Sequence, residues 1–151
     1  MNLKTLVIDD EPLAQDVLRK YAEDIRSIEI KGFCKDALEA MEIIGKQPID
    51  LIFLDINMPK LSGIEFLKTI KDPPLVILTT AYTDYAMDGY ELNVLDYLVK
   101  PFSFVRFLKA VQKAEQQIQL LQKSEVEQKV ESVFIKSNKK TYQIKFSEIT
   151  Y

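Results

Sequence analysis

Asp9 and Asp10 follow the apolar run Leu6-Val7-Ile8, and Asp55 follows Leu51-Ile52-Phe53-Leu54. Thr79 and Thr80 close a run that begins at Leu75, and Lys100 follows Tyr97-Leu98-Val99. If the runs are neighbouring strands, three carboxylates crowd one place. Like charges that close raise each other's pKa, and a cation relieves the conflict. A hard divalent ion with oxygen ligands suits such a site, and Mg²⁺ is the abundant choice. Lys100 is the one cation placed to reach the acids or a phosphoryl oxygen, and Thr80 supplies a hydroxyl donor. The plain alternative is that an acidic pair merely caps the next helix and that the lysine is solvated. Asp55 at a second strand end weighs against the first, and Pro101 directly after Lys100 weighs against the second.

The rest of the side-chain inventory narrows the chemistry. The 151 residues contain no histidine, which excludes Ser-His-Asp triads, Cys-His pairs and His-ligated zinc. Cys34 is the only cysteine, so no intrachain disulfide forms, and a reducing cytosol suits the chain.

Short β-branched runs alternate with helical periodicity. Leu6–Ile8, Glu29–Phe33, Leu51–Leu54, Leu75–Leu78 and Tyr97–Val99 read as strands. Pro12 suits a first helical turn, and Leu13, Val17, Leu18, Tyr21 and Ile25 recur at helical spacing. Leu38, Met41 and Ile44 mark a second helix, and Ile64, Leu67 and Ile70 a third, broken by Pro73-Pro74. Thr83 or Asp84 can cap a fourth, and Ser103 the last. Five βα units with right-handed crossovers predict an α/β fold, a flavodoxin-like (βα)5 doubly wound parallel sheet of order 2-1-3-4-5. In that order strands 1 and 3 are neighbours at the topological switch point, where ligands bind.

The last helix is expected to be long. Phe107, Val111, Ala114, Ile118 and Leu121 form a heptad-like stripe, whose far part suits a partner helix or a linker equally. From Val133 the pattern changes, because Tyr142, Ile144 and Phe146 alternate with polar residues. Ser137 to Lys140 reads as a turn, which predicts a hairpin. The expected organisation is a domain over 1–120, a helical linker over 121–132, and the truncated start of a C-terminal β domain over 133–151.

Formal net charge is −3, unevenly spread. Residues 103–151 hold nine Lys/Arg against five Asp/Glu, and residues 1–102 hold eleven against eighteen. The acidic first part is unlike a nucleic-acid surface. No apolar run approaches the ~18 residues that span a bilayer, so no membrane role and a cytoplasmic location are expected.

The motifs Val7-Ile8-Asp9-Asp10-Glu11-Pro12, Leu54-Asp55-Ile56-Asn57-Met58-Pro59 with Gly63, Thr80-Ala81, and Asp96-Tyr97-Leu98-Val99-Lys100-Pro101-Phe102 resemble response regulator receiver domains over residues 3–120. Ala81-Tyr82-Thr83-Asp84-Tyr85-Ala86 is similar to receivers of the LytTR class, whose second domain binds DNA with β-strands. The resemblance implies that Asp55 accepts a phosphoryl group from a sensor histidine kinase. It implies that Asp9, Asp10, Asp55 and the Asn57 backbone carbonyl hold Mg²⁺. Thr80 and Lys100 would contact the phosphoryl oxygens, with Thr80 and Tyr97 as the switch pair, and the Lys100–Pro101 bond would be cis. Such a protein is a phosphoacceptor rather than an enzyme, with only Mg²⁺-dependent self-phosphorylation and autodephosphorylation expected. Tyr85, Tyr90 and Phe104 suggest a homodimer on phosphorylation, through the helix after Thr83 and the last helix. DNA is expected to bind only through the missing C-terminal domain.

Three other readings fit these residues less well. A haloacid dehalogenase-type phosphatase would carry a second aspartate where Asn57 stands. A flavodoxin-like cofactor binder would want Gly, Ser or Thr after strand 1, where Asp9-Asp10 would repel a phosphate. A degenerate receiver used only for contacts would have lost part of this residue set.

Overall fold

The computed structural model describes residues 2–58, 60–81 and 94–138, with side chains up to Ser124. Five strands, β1 (Leu3–Ile8), β2 (Ile28–Cys34), β3 (Leu51–Asp55), β4 (Leu75–Thr80) and β5 (Asp96–Val99), form one parallel sheet. Its order is β2-β1-β3-β4-β5, the doubly wound arrangement that the alternating pattern predicts. The described helices are α1 (Pro12–Glu23), α2 (Ala37–Lys46), α3 (Gly63–Thr69) and α4 (Phe104–Asn138). The helix expected after Thr83 or Asp84 lies outside the described residues, as do Tyr85 and Tyr90.

The central strands are buried on both faces because helices cover both. Leu6, Ile8, Ile52, Leu54, Val76 and Leu78 pack with Ala37 and Ala40 of α2 and with Phe66 and Leu67 of α3. Strand alternation sends Phe53 to the opposite face, where its ring stacks on Phe107 of α4 at 5.1 Å. Tyr21 of α1 meets Phe107 there at 5.6 Å. In register, Ile8 pairs with Leu54 and Leu54 with Leu78, and Asp55 stands beside Thr79. The carboxyl ends of β1, β3 and β4 therefore align.

Local chemistry fixes the helix starts. Pro12 occupies the first turn of α1. The Asp36 carboxylate caps α2 by accepting from the Glu39 N–H at 2.9 Å. Ser62 and Glu65 form a reciprocal capping box on α3, and Ser103 Oγ accepts from the Arg106 N–H at 3.1 Å at the start of α4.

Several apolar positions take other places than periodicity suggests. Leu13 and Val17 are 78% and 41% exposed, while α1 buries Leu18, as its spacing predicts, together with Ala22. On α2, Leu38 and Met41 face outward and Ala37 and Ala40 are buried. On α3 the fully buried ring is Phe66. Small residues let α2 sit close to the strands, so the bulky ones are displaced to its flanks.

The chain divides into two units, Met1–Glu115 and Gln116–Tyr151. In the first, α4 buries Phe107, Ala110, Val111 and Ala114. In the second, Leu120 and Leu121 are exposed. The helix runs on through Asn138, so no strand begins at Val133 and Ser137-Asn138 is not a turn. The physical reason is that nothing stops the helix, since no Gly or Pro follows Pro101. The alternating segment Tyr142–Phe146 lies outside the described residues.

Candidate functional site

Two strand ends build the site by the same local device. At the end of β1, Asp9 Oδ1 accepts the Glu11 N–H at 3.0 Å. At the end of β3, Asp55 Oδ1 accepts the Asn57 N–H at 3.2 Å. Each is a turn in which an aspartate binds the backbone two residues on. Each ties down one carboxylate oxygen and leaves Oδ2. Lys100 Nζ, arriving from the end of β5, lies 2.8 Å from Asp9 Oδ2 and 3.7 Å from Asp55 Oδ2. It also lies 3.8 Å from Glu11 Oε1. Asp9 and Asp55 are only 1% and 3% exposed.

The loop after β3 is held close by a glycine. The Gly63 N–H donates to the Ile56 carbonyl at 2.8 Å. A Cβ on Gly63 would stand 2.4 Å from the Asp55 carbonyl oxygen, so only glycine lets α3 start against the end of β3.

The electrostatics are unbalanced. Oxygens of Asp9, Glu11 and Asp55 lie within 4.8 Å of one another, facing a single ammonium. Burial, then the charge of Asp9, pushes the Asp55 carboxyl up to about 7, against the opposing pull of Lys100. For Lys100, burial favours the neutral amine. The hydrogen bond to Asp9 and the charges of Asp55, Asp9 and Glu11 outweigh it, so the amine is held above its usual range. A hard cation with oxygen ligands would relieve the carboxylate repulsion, and the acidic donor set fits Mg²⁺.

Not every expected site residue joins this group. Asp10 is exposed and outside the three-carboxylate cluster, although its charge still raises Asp55. Glu11, tied by its N–H to Asp9, stands in the group with Asp9 and Asp55. Three consecutive acids after a strand were a visible signal for this. Thr80 is fully buried at the end of β4, and its carbonyl accepts the Lys100 N–H at 2.6 Å. Tyr97 is half-buried on β5 and packs against the core. The Lys100–Pro101 peptide is cis.

Two side chains of α1 also reach the site and carry no motif. Gln15 Nε2 donates to the Asp9 carbonyl at 2.7 Å and the Cys34 carbonyl at 3.3 Å. The Tyr21 hydroxyl donates to the Phe102 carbonyl at 3.1 Å. Beside them a largely apolar groove of about 260 Å³ runs between α1 and the Lys100–Phe102 loop.

Comparison with known proteins places this geometry. Residues 5–112 match the response regulator receiver domain. The transcriptional regulatory protein BtsR of Escherichia coli (strain K12) is 37% identical over 118 residues, 76% of this chain and 49% of that protein. The sensory transduction protein LytT of Bacillus anthracis is 38% identical over 132 residues, 85% of this chain and 52% of that protein. The chain thus spans about half the length of these curated relatives. Among solved structures, the response regulator TrrA from Thermotoga maritima, in complex with Mg²⁺-BeF, is 32% identical with a TM-score of 0.66. That match covers 74% of this chain and 98% of the other.

Proposed function

Because this chain belongs to the response regulator receiver domain family, we propose that it takes a phosphoryl group on Asp55 in a two-component relay. The observation that carries this is the pair of tied aspartates. Asp55 is buried, with Oδ1 anchored to Asn57 and Oδ2 turned toward Lys100. The donor is the phosphohistidine of a sensor kinase, as the receiver family implies. An Asp55 oxygen forms the new P–O bond as the P–N bond breaks, and the imidazole keeps the electron pair and takes up a proton. Phosphoryl transfer of this kind depends on positioning and charge neutralisation.

Among the described residues, Asp9, Glu11 and Asp55 bring carboxylate oxygens close enough together to hold Mg²⁺, and the family pattern adds Asp10 and the Asn57 carbonyl. When bound, the ion neutralises carboxylate and phosphoryl charge. The structure of TrrA in complex with Mg²⁺-BeF supports the assignment. Lys100 then moves its attention from Asp9 to the phosphoryl oxygens. Thr80 is drawn to them as well, and Tyr97 follows into the space vacated. Phosphorylation promotes a homodimer. The name of BtsR as a transcriptional regulator supports an output on DNA through a domain beyond this stretch. The lone buried cysteine and the absence, among the described residues, of any helix able to cross a membrane suit a cytoplasmic protein.

Incubation with acetyl phosphate and Mg²⁺ tests the reading by intact mass. One phosphoryl group should be gained, only with Mg²⁺, and lost in Asp55→Asn. A mass gain that persists in Asp55→Asn would refute Asp55 as the acceptor.

A further inference from the structure

We infer that α1 is the positioning element of the site, with Gln15 setting the carboxylate loop and Tyr21 setting the lysine loop. Asp9 is held at every polar atom. Its N–H donates to the Cys34 carbonyl at 2.9 Å, and its carbonyl accepts from Gln15 at 2.7 Å. Oδ1 accepts from Glu11 and Oδ2 from Lys100. The Gln15 amide spans the ends of β1 and β2, so it sets where the Asp9–Glu11 turn stands. A neutral donor suits this place. A glutamate would repel Asp9 and Glu11, and a lysine would compete with Lys100 for them.

Tyr21 acts on the other partner. Its ring packs against Phe102 at 6.1 Å, Phe104 at 5.5 Å and Phe107 at 5.6 Å. Its hydroxyl holds the carbonyl of Phe102, two residues beyond Lys100. One rigid helix therefore fixes the separation between the acids and the ammonium that must act on the same group. Misplacement of the ammonium, which no bound ion corrects, costs rate directly, since about 1 Å can cost on the order of a hundredfold.

The two roles separate in Gln15→Met, which keeps length and helix propensity, and Tyr21→Phe, which keeps the ring. Gln15→Met should weaken Mg²⁺ binding by about tenfold, read by titration calorimetry on the 151-residue chain. Its phosphorylation rate at saturating Mg²⁺ should stay within about twofold of the original. Tyr21→Phe should leave Mg²⁺ affinity unchanged and slow phosphorylation by acetyl phosphate about tenfold. It should also speed acylation of Lys100 by an amine-reactive reagent, read by peptide mass. For its rate readout the inference rests on the phosphoacceptor reading. The affinity and labelling measurements do not, so a chain that binds Mg²⁺ and takes no phosphoryl group overturns that reading alone. Equal losses of affinity and rate in both variants, tracking their melting temperatures, would overturn the positioning roles, as would no change in either.

Discussion

Two ionic clusters stand within the same domain with opposite balances. At the switch point, three carboxylates share Lys100. At the start of β5, the single carboxylate of Asp96 is surrounded by donors. Arg106 of α4 reaches it through two nitrogens at 2.7 and 2.9 Å, Lys113 stands at 3.4 Å, and the Tyr97 N–H donates at 2.7 Å. Burial alone would raise Asp96. The hydrogen bonds from Arg106 and Tyr97 and the charges of Arg106 and Lys113 overturn that and hold it low. Asp55 has the same side chain and similar burial but is pushed up to about 7. Asp96 is complete in the folded chain alone, and it fastens β5 to the last helix. The Asp55 cluster is left short of positive charge, which is what a site awaiting a cation requires.

Cutting the complete cluster should have the largest effect. Asp96→Ala leaves Arg106 and Lys113 without their carboxylate, and Arg106 also donates to the Tyr97 carbonyl at 3.0 Å. A loss of about 2–3 kcal/mol is expected in denaturant unfolding at pH 7, discounted from a fully buried pair because both cations are partly exposed. A loss below about 0.5 kcal/mol would make this cluster a surface ornament and dissolve the contrast.

Completing the other cluster should stabilise the fold by mass action. Mg²⁺ at a hundred times its dissociation constant adds about 2.7 kcal/mol. The melting temperature should rise in the original chain and much less in Asp55→Asn. Equal rises in the two proteins would place the ion elsewhere.

Without Mg²⁺ the same substitution should stabilise, and the pH dependence fixes when. Asp55 titrates near 7 in the folded chain and near ~4 when unfolded. Between those values the folded state holds more protons, so stability falls as pH rises from about 4 to about 7. Asp55→Asn should remove that slope and gain about 2 kcal/mol at pH 8, with little change at pH 4. The gain is less than the whole shift would give, because neighbouring groups readjust together. Asp96 has the reverse sign. Its lowered value gives stability that is present above about 4 and lost as pH falls further. Asp96→Ala should therefore steepen nothing between pH 5 and 8 in unfolding measured across that range. A slope appearing there would contradict the assignment.

The first cluster was legible in the sequence and the second was not. Strand ends are marked by composition, so Asp9, Asp55, Thr80 and Lys100 could be placed on one edge before any coordinates. Asp96 and Arg106 are ten residues apart across a loop and a helix start, and nothing in their types announces a pair. Glu11 rather than Asp10 enters the acidic group because of a turn geometry that spacing alone does not distinguish. Periodicity showed that α1 and α2 are amphipathic and placed Leu18 inward correctly, but it also placed Leu13, Leu38 and Met41 inward where Ala22, Ala37 and Ala40 fill the contact. The strand expected from Val133 is helix as far as Asn138, because an uninterrupted run of helix-compatible residues carries α4 there, and the alternating residues from Tyr142 lie outside the described residues. Gln15 and Tyr21 act through backbone carbonyls, which leave no trace in residue type.

Cys34 offers a clock for the edge of this sheet. The thiol is fully buried at the end of β2, and burial pushes it up to about 12, so the closed chain has almost no thiolate to alkylate. Reaction must wait for the β1–β2 edge to part, because the Cys34 carbonyl is held by both the Asp9 N–H and Gln15. Alkylation of native protein under conditions of rapid reclosing thus reads the open population, and each tenfold of protection corresponds to about 1.4 kcal/mol of opening free energy. One natural thiol, with no label introduced, reports what share of the time the strand that carries the first aspartate stands apart from its neighbour.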